Sequence, residues 1–227
     1  MLLTASIPLH LAKTFHASSA EIGLILGVSS LSPILVRPFM GYALDCFGRR
    51  RVLLAAQIAM IGCNLLYLVV RSPVGIMLVR LAYGVPFAAA STALITIASD
   101  ILPEKRMGEG LSYFTSASTL AMAVAPGIGV GLFNLGTLLP FTAAAVVSGV
   151  CLFGGLVIGI PRHDLSVERF SLAGIFDRRI LILAVILTVC YLGIPGLLNY
   201  GALYTEENSL PLNSANWAYT IYASGIL

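Results

Sequence analysis

Arg37, Gly41 and Asp45 recur at intervals of four, so a helix that holds them presents all three on one face. Gly48, a residue suited to a sharp turn, comes next, and Arg49, Arg50 and Arg51 stand in a row behind it. One acid beside a dense basic cluster can make and break ion pairs; that is the equipment of a latch, not of bond cleavage. Arg80 is the second point of interest. It is a cation that cannot be deprotonated, and it stands inside the apolar stretch VGIMLVRLAYGV. Such a residue costs roughly 2.5–3.5 kcal/mol at a membrane-helix centre unless backbone carbonyls, cavity water or a carboxylate compensate. All ten acidic residues fall in loops or at helix ends, so no acid inside these spans can be its partner. The chain has no phosphate-cradling glycine loop, HExxH pair, nucleophile elbow or Cys/His cluster. Neither ATP-driven pumping nor hydrolysis is supported, the chain does not read as an enzyme, and no cofactor, metal or nucleic acid is implied.

The elements that must position these residues are membrane helices. Hydrophobic residues make up 58% of the 227 residues and charged ones only 10%. A soluble domain carries about a quarter charged residues. The class is therefore an all-α polytopic membrane protein. Residues 1–12 are apolar but short of the roughly 20 needed to span, and no signal-peptide pattern accompanies them. We expect them to be the outer part of a first helix whose beginning is missing. Ser18 and Glu21 have capping-box spacing and start the second helix near Ser19; it runs to Leu44 through Pro33 and Pro38. Further spans are expected at residues 52–70, 75–99, 111–133, 141–160 and 180–204, and the chain ends inside an eighth. Residues 161–179 are the longest polar segment. The expected division is a bundle at 1–160, a linker at 161–179 and the start of a second bundle at 180–227. Cys46, Cys63, Cys151 and Cys190 show no paired spacing and read as small residues, three of them in apolar runs.

Charge orients the spans. Arg49, Arg50, Arg51, Lys105, Arg106, Arg162, Arg169, Arg178 and Arg179 lie in the connections after the second, fourth and sixth helices. Only Lys13 and Arg71 lie in the opposite ones. The basic side is expected to face the cytoplasm of a plasma membrane, a bacterial inner membrane by preference.

The segment GYALDCFGRRR resembles the signature loop of the major facilitator superfamily, Gly-x-x-x-Asp-Arg/Lys-x-Gly-Arg-Arg/Lys between the second and third helices. The match falls on Gly41, Asp45, Gly48, Arg49 and Arg50, and Cys46 stands where the family usually carries a base. The resemblance implies two six-helix halves, each built from inverted three-helix repeats around a central substrate site. It also implies that Asp45 and the loop arginines hold the halves together at the cytoplasmic side, with Arg37 on the same face. The plain alternative is that Arg37 snorkels to the headgroups and Asp45 caps the loop. Arg80, followed four residues later by Gly84, resembles the family's fourth-helix motif. That implies an arginine facing the cavity and biasing a proton site, against the alternative of an arginine snorkelling outward. Ala117, Ala121, Ala125 and Gly129 form a small-residue stripe in the fifth helix, bent by Pro126. It is similar to a degraded antiporter motif, with Ala125 and Val130 in place of glycines.

Other polar residues have quieter expectations. Asp100, Glu104 and Arg106 could pair at the cytoplasmic surface. Gln57 and Asn64, seven apart, suggest hydrogen bonds between packed helices. His10 reads as interfacial. Gly193, Pro195 and Gly196 break the seventh helix ahead of Asn199 and Tyr200, a pattern that lines cavities. Together these imply a secondary transporter that works by alternating access, exporting drugs or other small solutes against protons. Uptake of a metabolite, and a truncated membrane protein without transport, remain the alternatives. The implied partners are a small-molecule substrate, protons, the lipid bilayer and the helices of the second half.

Overall fold

The computed structural model describes residues 2–157 together with Ile182, Val185, Ile186, Tyr204, Thr205, Asn208 and Ile221. The expected linker at 161–179 and the Asn199–Tyr200 pair lie outside the described residues, as do most of the seventh and eighth helices. The helices are α1 (Leu3–Phe15), α2 (Ser19–Phe47), α3 (Arg49–Val69), α4 (Pro73–Ile101), α5 (Met107–Leu135) and α6 (Leu139–Val157). A single 3-10 turn, Glu104–Arg106, precedes α5, and no strand occurs among the described residues. Five of the six, α2 to α6, are long and apolar enough to cross a membrane. The 13 residues of α1 reach only about 20 Å.

Local chemistry sets the helix ends. Ser18 Oγ accepts the Glu21 N–H, and the Glu21 carboxylate accepts the Ser18 N–H at 2.8 Å, which closes the expected capping box. α4 begins two residues earlier than expected, because Ser72 caps Gly75 N–H at 3.1 Å and Pro73 fits the first helical position. The largest difference lies between α2 and α3. Residues 49–51 belong to the first turn of α3, and the expected basic loop shrinks to Gly48 alone. Gly48 has φ 86°, ψ 138°, donates to Leu44 O and accepts from Val52 N–H, so one residue ends one helix and starts the next. A side chain at that φ would be strained.

The helices pair mainly as α2 with α4, α3 with α4, α3 with α6, and α1 with α5. In an inverted three-helix repeat α1, α2 and α3 correspond to α4, α5 and α6. The α2–α4 contact then maps onto α5–α1, and α3–α6 maps onto itself. Three of the four pairs follow that symmetry; the fourth, α3–α4, maps onto α6–α1, which touch only slightly. Two glycines permit the closest approaches: Gly84 of α4 lies on Ser32 and Pro33 of α2, and Gly129 of α5 lies on the Leu2 carbonyl and Ser6 of α1. One core cluster gathers Ile7, Leu11, Ile22, Tyr67, Ile76 and Phe141 toward the α1–α2 and α3–α4 connections. A second gathers Leu44, Leu53, Ala93 and Ile97 toward the arginine-bearing end. Large apolar side chains such as Val146, Val150 and Phe153 of α6 cover the outside of the bundle. In water that surface would be costly; against lipid tails it is matched.

Candidate functional site

At the arginine-bearing end, α2 carries Arg37, Gly41 and Asp45, and all three are exposed. A Cβ added at Gly41 would meet no atom within 4 Å. This face of α2 is therefore open among the described residues, and Asp45 makes no ion pair with any of them. The arginines behave differently. Arg49 pairs with Asp100 in the last turn of α4, and Arg50 Nη2 donates to Leu156 O of α6 at 2.7 Å. Arginines in the first turn of α3 oppose its helix dipole, whereas the same cations at the carbonyl ends of α4 and α6 are favourable. The two contacts offset the unfavourable placement and tie three helix ends together. Gly48 makes that possible by starting α3 at once.

The geometry thus separates the residues of the signature segment into two groups. Arg49 and Arg50 brace the bundle from within, while Arg37, Gly41 and Asp45 face away from it. Asp100 meets Arg49 rather than an Asp100, Glu104 and Arg106 trio, because Glu104 and Arg106 sit on the exposed 3-10 turn. The Arg49–Asp100 contact spans about fifty residues of sequence, with no local spacing to announce it.

Arg80 occupies the second turn of α4. Its Nε is buried and has no hydrogen-bond partner among the described residues. Tyr67 of α3 and Tyr83 of α4 lie within electrostatic reach of it. Tyr67 stacks on Phe141 with centroids 5.1 Å apart, and its Oη is likewise buried and without a partner. One turn away, Asn64 Nδ2 donates to Ser148 Oγ at 3.1 Å, and its Oδ1 has no partner among the described residues. Gln57 is buried on the same side of α3. A polar track therefore follows α3 through Gln57, Asn64 and Tyr67 toward Arg80. Gly84 and Gly129 lie at helix crossings instead, against α2 and α1, and Pro126 is buried in α5.

His10 was expected at the interface but is only 4% exposed. Its ring meets Phe15 and Phe141 edge-on at 5.4 and 5.2 Å, and its Nδ1 lies 3.2 Å from the Thr14 hydroxyl. Phe141 joins this cage to Tyr67, a link between distant segments that no short-range pattern carries. Tyr67 could have been found, since it falls three residues after Asn64 on the face already marked by Gln57. Among the described residues no three His, Cys, Asp or Glu side chains converge. The arrangement suits switching of ion pairs and binding of charge.

The chain matches the family model described as Major Facilitator Superfamily over residues 1–227. It is 27% identical over 168 residues to an uncharacterized MFS-type transporter of Methanocaldococcus jannaschii, covering 70% of this chain and 43% of that protein. To multidrug resistance protein 2 of Bacillus subtilis it is 22% identical, over 69% of this chain and 39% of the relative. To a Na(+), Li(+), K(+)/H(+) antiporter of Planococcus maritimus it is 28% identical, over 56% of this chain and 31% of the relative. The chain spans less than half the length of each of these relatives.

Proposed function

We propose, on the premise that this chain belongs to the Major Facilitator Superfamily, that it supplies the first six-helix bundle of a proton-coupled exporter of drugs or other small solutes. The family consists of transporters rather than enzymes, and the chain is a multi-pass membrane protein. In this reading residues 1–160 form the first bundle, 161–179 cross to the second on the cytoplasmic side, and 180–227 begin it. The observation that carries the reading is the open α2 face of Arg37, Gly41 and Asp45. A glycine with empty space beside it and an acid unpaired among the described residues suit a helix arriving from the other bundle. Asp45 would meet the positive N-terminus of that helix when the cytoplasmic side closes. Arg49 and Arg50 keep the supporting helix ends rigid while the bundle rocks. The names of two relatives, a multidrug resistance protein and a cation/proton antiporter, support export and proton exchange.

The test is ethidium extrusion from energised cells lacking their own exporters, with a protein that carries both bundles. Extrusion should stop when a protonophore collapses the proton gradient. Asp45→Asn should slow it, since loss of a state-specific contact shifts such equilibria by about 1–3 kcal/mol. Extrusion that ignores the protonophore would remove proton coupling. A wild-type rate in Asp45→Asn would leave Asp45 as a surface cap.

A further inference from the structure

Between α2, α3 and α4, toward the arginine-bearing end, lies an apolar cleft of about 460 Å³. Met40 and Phe47 of α2, Ala55 and Ala59 of α3 and Ala89 of α4 wall it, and Arg51 is the one charged residue in its lining. The cleft is hollow because alanines stand where larger side chains would fill the space between the helices. From Arg51 to Ala59 it follows α3 for eight residues, or about 12 Å. That is most of the hydrocarbon depth of one leaflet, about 15 Å. We infer that the cleft holds an acyl chain of an anionic phospholipid from the leaflet at this end, with the lipid phosphate on Arg51.

Depth and charge together single out this occupant. Lipid tails are as apolar as the cleft walls, so hydrophobicity alone gives no reason for one lipid over another. The headgroup level does. Arg49 is committed to Asp100 and Arg50 to Leu156 O, whereas Arg51 makes no hydrogen bond or ion pair among the described residues. The first turn of α3 beside it has no side-chain cap, so its N–H groups add to the same rim. A basic rim above an apolar slot between helices is complementary to a phosphate above an acyl chain.

Bromine on a lipid chain quenches a nearby tryptophan, which gives a direct readout. The chain carrying Trp217→Phe and Phe47→Trp is placed in phosphatidylcholine vesicles containing chain-brominated phosphatidylglycerol, then in the reverse mixture with brominated phosphatidylcholine. The expected result is about a fivefold preference for the anionic lipid at this tryptophan, the worth of one cation near an anionic surface. Arg51→Gln should abolish the preference, Arg51→Lys should keep most of it, and Ala59→Phe should reduce quenching by both lipids. Equal quenching by the two lipids, or a preference unchanged in Arg51→Gln, overturns the inference. Quenching by neither lipid also overturns it, since the cleft would then be covered by protein.

Discussion

Arg80→Lys is expected to leave expression and membrane insertion intact while cutting proton-coupled flux about tenfold or more, a change worth at least ~1.4 kcal/mol. Lysine keeps the positive charge but has no Nε and no planar fork. Among the described residues that Nε is buried and unpartnered, within electrostatic reach of Tyr67 and Tyr83. An orphaned buried donor is costly in a resting protein. It becomes useful if an acceptor, water or a carboxylate of the second bundle meets it in one state of the cycle. An arginine that only snorkelled to the headgroups would keep its whole guanidinium in the interface, and lysine would replace it well. The measurement is proton movement in proteoliposomes of a two-bundle protein carrying each variant. Wild-type flux in Arg80→Lys would retire the coupling role. Tyr67→Phe is the companion variant, since it removes another polar atom unpartnered among the described residues while preserving the stack on Phe141.

Gly84→Ala should be among the most damaging single methyls in the bundle. A Cβ at Gly84 would stand 2.6 Å from Ser32 Cβ and Oγ and 2.7 Å from Pro33 Cδ. None of these is the yielding end of a long side chain, so α2 and α4 must separate or their backbones must shift. Overpacking of this kind costs typically 1–3 kcal/mol, and the α2–α4 crossing is a principal contact of the fold. The expected readout is a thermal midpoint lowered by roughly 5 °C or more in detergent. Ser32→Gly in the same chain should recover part of the loss by removing two of the three obstructing atoms. An unaltered midpoint in Gly84→Ala would mean that the two helices do not approach as described. By contrast Gly41→Ala, with no atom within 4 Å of the added Cβ, should leave the stability of this bundle unchanged.

Much of this architecture was legible in the residues themselves, for physical reasons that differ by element. Ser18 and Glu21 place the start of α2 because a capping box is a local device, complete within four residues. The spans are legible because every one must satisfy its own backbone in lipid, which demands a long apolar run. The arginine row was misplaced into a loop, since basic residues after a glycine resemble a solvated connection. Gly48 adopts the left-handed φ that makes such a loop unnecessary, and Asp100 and Leu156 O arrive from elsewhere to receive the charge. The same limit applies to His10. Its apolar cage comes from Phe133 and Phe141, more than a hundred residues away, and only packing brings them together. The small-residue positions Gly84 and Gly129 were visible as candidates. Their role as contact points between particular helices emerges only when the pairs α2–α4 and α1–α5 are known.

The latch, the coupling site and the lipid cleft all take their sense from which side of the membrane holds the arginine-bearing end. Cys46 lies half-buried in the last turn of α2 beside that end, Cys63 is buried in α3, and Cys151 faces outward in mid-span on α6. With Cys190 replaced by serine, a membrane-impermeant thiol reagent has one water-reachable target. The positive-inside asymmetry predicts no labelling of Cys46 in intact cells and clear labelling in inside-out vesicles. Labelling in intact cells would contradict the orientation and, with it, the assignment of Asp45 to a cytoplasmic gate.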